Sequence, residues 1–412
     1  MTYSMLRLLV PLTIIGFIGI GGLVSCTVPP PRSTFASTVD APDHRALLTE
    51  SWTAYRKRFI QADGRVIDWE ATGRSTSEGQ AYAMLRAVIA DDPETFERTL
   101  HWAETNLQRQ DKSKTPIDSL WAWKWGQDAG GGWGILDPNV ASDADIDGIT
   151  ALILASRRWQ RADYLALART KLKDLWTKAT VTLRADEKRY LLPGAVNLFQ
   201  RNEKLKANPS YLAPYAFRLF AQVDSERNWL SLVDSSYQML EQSSKVSPVG
   251  LPSDWIALDP KTGQYSALDP GSPLITQYGF DASRVWWRVA LDATWFNEPR
   301  AKSYLRSHLG HLKQMWQTQR KIPAKLDLEG RAVVDYEATS QYGMLYAAFR
   351  VIDPAIAQEI LTEKLLPSYR NGFWDNDSAY YSQNLAWFGL LPPNVMAAYL
   401  TDPTQAATIS LP

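Results

Sequence analysis

From Asp43 to about residue 390 the chain is a nearly unbroken succession of amphipathic stretches with helical period, which leaves little room for a sheet-based fold. They fall near residues 43–60, 77–90, 93–108, 144–159, 162–179, 210–223, 227–243, 278–292, 298–318, 338–351, 355–366 and 379–390. Clusters of Pro, Gly and Asp separate them. Strand signals are sparse and short, as at Tyr190-Leu191-Leu192. No long polar linker interrupts the pattern, so the expectation is one all-α domain of about twelve helices over 43–400, with 401–412 a tail. Tyr82-Ala83-Met84-Leu85 recurs as Tyr342-Gly343-Met344-Leu345, an echo of the kind that stacked helical hairpins of similar design generate. The long connections 110–142 and 244–277 are candidates for a substrate-facing rim.

The region before the helices reads differently. Arg7 precedes an uncharged run of 17 residues, Leu8 to Val24, which Leu23-Val24-Ser25-Cys26 closes. This resembles the lipobox of bacterial lipoproteins, which implies lipidation at Cys26 after removal of residues 1–25. An ordinary signal peptide or an uncleaved anchor is the alternative reading of the same run. Each of these readings implies export, and the lipobox implies a membrane-anchored protein facing the periplasm or cell exterior. Residues 26–42, with Pro29-Pro30-Pro31, read as an extended tether. Cys26 is the single cysteine, so an internal disulfide is excluded. Lys+Arg and Asp+Glu are both 44, and this zero net charge argues against a nucleic-acid partner. The 17 Trp and 18 Tyr suit flat apolar ligand faces such as sugar rings.

Three clusters stand out as candidates for chemistry. The first is Ser77-Glu78-Gly79-Gln80, which places an acid at a helix start. Glu78, Tyr82, Leu85 and Ile89 share one helical face, and an acid on an apolar stripe loses water. The competing explanation is a capping box, Ser75 with Glu78 three residues later. The second is Asp143-Ala144-Asp145-Ile146-Asp147-Gly148. Its first six positions mimic a calcium loop, but position 12 is Leu154 rather than Glu, which rejects an EF-hand. Helix capping accounts for one of these Asp residues and not for three. The third is Phe280-Asp281-Ala282-Ser283-Arg284, where Asp281 and Arg284 lie three apart on one face. An ordinary surface ion pair is the alternative, and the flanking aromatics disfavour it. The four His, of which only His308 and His311 are close in sequence, show no metal-ligand pattern, and no metal or cofactor is expected.

Together these clusters resemble the signatures of glycoside hydrolase family 8, inverting endoglucanases with chitosanases, lichenases and xylanases among them. Ser77-Glu78-Gly79-Gln80 is similar to the segment that carries the general acid, and Ala141-Ser142-Asp143-Ala144-Asp145 to the second signature. Phe280-Asp281-Ala282-Ser283-Arg284 is similar to the segment that supplies the general base. Asn208-Pro209-Ser210-Tyr211 and Leu120-Trp121-Ala122-Trp123 match further segments, and the order holds over about residues 45–390. The resemblance implies an (α/α)6 barrel, a β-glucan substrate, Glu78 as acid, Asp281 as base and Asp143 in contact with the sugar. Arg284 is expected to orient Asp281. Trp123, Tyr211, Tyr380 and Tyr381 are candidates for sugar stacking or positioning. Because Tyr380 and Tyr381 sit about 100° apart on a helix, only one of them is expected to face the cleft. Asp143 is a rival for the role of base, and Glu337 a weaker one. Gly148-Ile149 and Phe280 depart from the family pattern. A helix start favours the ionised form of Glu78, so burial and a like charge nearby must raise its pKa. A monomer is expected. The alternatives are a related family specificity, a polysaccharide-binding barrel without activity, or a lyase.

Overall fold

The computed structural model describes residues 44–201 and 204–401. The lipobox-like run, Cys26, the tether and residues 402–412 lie outside the described residues. The described residues hold fourteen α-helices in chain order. They begin with α1 (Arg45–Phe59), α2 (Ser77–Ile89), α3 (Pro93–Asn106), α4 (Ser142–Arg158) and α5 (Ala162–Ala179). Next come α6 (Val196–Phe199), α7 (Pro214–Val223), α8 (Trp229–Ser244), α9 (Phe280–Trp295) and α10 (Pro299–His308). The last are α11 (Gly310–Gln319), α12 (Thr339–Ile352), α13 (Pro354–Ile360) and α14 (Tyr380–Leu390).

Each amphipathic stretch is helical. The count exceeds twelve for two reasons: α6 is a single short turn, and 298–318 divides into α10 and α11 at Leu309-Gly310, where glycine weakens a continuous helix. Local chemistry sets many of the starts. The Asp92 and Asp353 carboxylates accept the N–H groups of Thr95 and Ile356, and a proline occupies the first turn in both cases.

Burial sorts the helices into two layers. α2 buries twelve of its 13 residues, α4 fourteen of 17 and α14 nine of 11. α1 buries only five of 15 and α5 six of 18. A helix buried on all sides lies inside a bundle, whereas one buried along a stripe lies outside. Accordingly α2, α4, α7, α9, α12 and α14 pack in succession as an inner ring, and α3, α5, α8, α10, α13 and α1 each back one of them. Tyr82 and Phe388, ring centroids 5.3 Å apart, close the ring between α2 and α14. This is an (α/α)6 barrel, and the echoing segments of α2 and α12 are both inner helices.

The rim is built from short strands. Lys124–Gln127 and Trp133–Asp137 pair antiparallel, and Ser75–Thr76 joins them with Ser75 opposite Trp125. Ser77 N–H then donates to the Trp123 carbonyl at 3.1 Å, which ties the first turn of α2 to the 110–142 connection. In the 244–277 connection, Ile256–Leu258 pairs with both Lys204–Ala207 and Tyr265–Ser266. Among the described residues no helix is long and apolar enough to cross a membrane.

Candidate active site

The first turns of four inner helices converge on one cleft of about 480 Å³. Helix α2 brings Ser77 and Glu78, α4 brings Asp143, α9 brings Phe280, Asp281 and Arg284, and α14 brings Tyr380 and Tyr381. Trp123 and Tyr211 complete the aromatic lining, while Asp68, Glu70 and Arg74 line it from the segment before α2. Helix N-termini carry partial positive charge and favour anions. Here they surround three carboxylates.

Arg284 organises the floor and is 1 % exposed. Its Nη1 donates to Glu78 Oε2 at 2.8 Å, to Asp143 Oδ2 at 2.9 Å and to the Tyr82 hydroxyl at 3.2 Å. Its Nη2 donates to Asp281 Oδ1 at 2.8 Å and to Ser210 Oγ at 3.1 Å. Each carboxylate has a second donor. The Tyr380 hydroxyl reaches Glu78 Oε1 at 2.6 Å, Asn208 Nδ2 reaches Asp281 Oδ2 at 3.0 Å, and the Ala144 N–H reaches Asp143 Oδ1 at 2.9 Å. Glu78 and Asp281 keep 23 % and 31 % of their side chains open to the cleft, against 3 % for Asp143. The two more open carboxylates are therefore the ones able to meet a reacting bond.

Burial, reinforced by the neighbouring charges of Asp143 and Asp281, pushes the Glu78 carboxyl up to about 7; Arg284 and the Tyr380 hydroxyl pull the other way and lose. An acid of this kind holds a proton near neutral pH and can deliver it.

The structure brings Glu78, Asp143, Asp281, Arg284, Trp123, Tyr211, Tyr380 and Tyr381 to this one cleft. Three sequence expectations need correction. The cap of α2 is Thr76, whose hydroxyl accepts the Gly79 N–H at 3.0 Å. Ser75 instead donates to the Val66 carbonyl, so Ser75 and Glu78 are not a capping box. Tyr380 and Tyr381 both line the cleft, because α14 points its N-terminal end at it rather than one side. Glu337 lies away from the cleft lining, bonded to the Tyr342 hydroxyl and Lys364. The three Asp residues of α4 have three separate tasks: Asp143 meets Arg284, Asp145 accepts the Trp121 N–H and Asp147 pairs with Arg288. His308 and His311 bond the carbonyls of Gly250 and Gly330, far from this chemistry. Tyr82, Asn208 and Ser210 also hold the carboxylate floor, and neither spacing nor composition points to a site role for Tyr82. For Asn208 and Ser210 the sequence signal is the family-like segment Asn208-Pro209-Ser210-Tyr211.

The sequence matches a family model, glycosyl hydrolases family 8, over residues 35–393. The chain belongs to this family. An endoglucanase from Xanthomonas axonopodis pv. citri is 36% identical over 244 residues, a match that takes in 59% of this chain and only 60% of that relative's length. An endoglucanase from Salmonella typhi is 29% identical over 343 residues, which cover 82% of this chain and 85% of that one. Among solved structures, the family 8 endoglucanase from Klebsiella pneumoniae superposes with a TM-score of 0.63 at 26% identity, covering 82% of this chain and 97% of that one. One departure from the family 8 pattern now has a physical reason. A Cβ at Gly148 would come within 2.6 Å of the Trp121 ring, so a side chain there has no room.

Proposed function

We propose that the chain is an exported endo-β-1,4-glucanase that cleaves internal bonds of a cellulose-like glucan with inversion. The observation that carries this reading is the set of three carboxylates on one buried guanidinium, at the floor of a cleft walled by Trp123, Tyr211, Tyr380 and Tyr381. Glu78 holds a proton near neutral pH and gives it to the leaving glycosidic oxygen. Asp281 takes a proton from water, and the resulting hydroxide character attacks the anomeric carbon from the opposite side. The water proton ends on Asp281, the Glu78 proton ends on the new hydroxyl of the leaving chain, and bulk water resets both.

Glu78 and Asp281 accept from different nitrogens of the Arg284 guanidinium, Nη1 and Nη2. Inversion requires a gap wide enough for water between the two carboxyl groups, roughly 6.5–9.5 Å against about 5–5.5 Å in retaining enzymes. Asp143, with the aromatic residues, positions the sugar, and Arg284 orients the carboxylates. The endoglucanase names of the relatives support the substrate class. The Cys26 segment supports a lipid anchor outside the cytoplasm, with residues 26–42 as its tether and 43–400 as the catalytic domain.

Proton NMR of cello-oligosaccharide hydrolysis tests the reading. The α-anomer is expected first, and the β-anomer appearing first rules out inversion. Activity on chitosan, xylan or mixed-linkage glucan in preference to carboxymethylcellulose would replace the substrate assignment and keep the mechanism.

A further inference from the structure

Helix α9 carries both Asp281 and Arg284 in its first two turns, yet it begins without a cap of its own. Its N-cap residue is Gly279, which has no side chain to offer the exposed N–H groups. The acceptor comes instead from a different part of the chain. Asp254 Oδ1 accepts the Ala282 N–H at 2.8 Å, and Asp254 Oδ2 accepts Gln277 Nε2 at 3.3 Å. The Asp254 backbone N–H also donates to the Gln277 carbonyl at 2.7 Å, so both backbone and side chain clamp the segment that leads into α9. The fit is close. A Cβ placed on Gly279 would lie 2.5 Å from Asp254 Oδ2. Asp254 itself is 9% exposed and is not part of the cleft lining.

We infer that Asp254 is a positioning residue for Asp281: it caps α9 from outside the helix and so fixes where the Asp281 carboxylate stands. Asp281 precedes Ala282 directly, so the bond at Ala282 holds the peptide from which the Asp281 side chain departs. A carboxyl is well suited to this, because its two oxygens accept separately from Ala282 and Gln277. An acid behind another acid has a cost, and Asp254 shows it. Burial first, and the Asp281 charge second, push its carboxyl up to about 7.

This inference rests on Asp281 acting as the base, and the experiment separates the two. Asp254→Ala removes both acceptors. Its kcat on cello-oligosaccharides is expected to fall about 10²-fold, as for a displaced reacting group, with KM little changed. Asp254→Asn keeps an oxygen for Ala282 and loses the bond with Gln277, so its kcat is expected to fall about tenfold. Gly279→Ala, whose Cβ would press on Asp254 Oδ2, is expected to lower kcat in the same way. A purely structural role would lower the unfolding midpoint and leave kcat per folded enzyme intact. The inference is overturned by an Ala variant with wild-type kcat, by an Asn variant as impaired as Ala, or by a loss that falls on KM alone. Should Asp254→Ala not fold, Asp254→Asn and Gly279→Ala still decide, since wild-type kcat in both overturns it. Asp281→Asn at full activity would instead refute the assignment of the base, whatever Asp254 does.

Discussion

Replacing Glu78 by Gln is expected to abolish hydrolysis and, above neutral pH, to make the protein more stable. Gln matches the neutral form of the acid in size and shape, and it does not titrate. In the folded protein the Glu78 carboxyl stands at about 7 against an ordinary value of 4.5. A carboxyl raised by folding contributes stability that is fully present below its unfolded value and is lost as pH rises through the folded one. The gap of about 2.5, at 1.36 kcal/mol per pH unit, costs the wild type about 3 kcal/mol between pH 4.5 and pH 7 and above. The variant escapes that cost, while Asp145 and Asp254, also raised to about 7, titrate in both proteins and cancel in the comparison. Urea denaturation followed by tryptophan fluorescence from pH 4.5 to 8.5 measures the difference. The two proteins are expected to converge at the acid end and to separate by about 3 kcal/mol, in favour of Gln, at the alkaline end. A difference that stays flat with pH, or that grows toward acid, would refute the view that folding keeps Glu78 protonated.

Two substitutions move the same acid in opposite directions. Asp143→Asn removes a like charge that raises the Glu78 pKa, so the alkaline limb of the kcat profile is expected to move to lower pH. Tyr380→Phe removes a hydroxyl that donates to the ionised form, so that limb is expected to move to higher pH. A pH–rate series on both variants checks the signs. Beneath the cleft, Arg288 holds Asp147 with two 2.8 Å bonds, and both side chains are fully buried. Arg288→Met strands that carboxylate and is expected to cost about 3–5 kcal/mol at neutral pH in urea denaturation, much more than an exposed pair such as Arg331 with Asp327.

The helices were legible in the sequence because their determinants are local. Period, Asp-Pro starts and Gly breaks all act within a few residues, and the one misjudged stretch, 298–318, keeps its amphipathic period across the break at Leu309-Gly310. The acids were legible because each sits in a short motif at a helix start. Their partners were not. Glu78 meets Tyr380 across 302 residues, Asp281 meets Asn208 across 73, and Asp254 reaches Ala282 across 28. No spacing rule connects such positions, and only closure of the ring places them together. The face argument for Glu78 also had less force than its spacing suggests, since α2 is buried on nearly every side and Glu78 is the residue left partly open.

The helix start that should ionise Glu78 is a real opposing effect, worth about 0.3–1 kcal/mol and up to about 2 kcal/mol when partly buried. Arg284 opposes protonation as well. Yet three carboxylates share one guanidinium, and with all of them ionised the floor of the cleft would carry an uncompensated double negative charge out of water. Taking up one proton relieves this, and burial is the largest effect that favours it on Glu78. Asp143 faces the Ala144 N–H and Asp281 faces the Asn208 amide nitrogen, groups that donate and cannot accept. Glu78 faces the Tyr380 hydroxyl, which can turn and accept once the carboxyl carries a proton. A proton on Glu78 can reverse the bond with the Tyr380 hydroxyl without breaking it. Burial thus overcomes the helix start and Arg284 at the one carboxyl that the proposed mechanism needs as a proton donor.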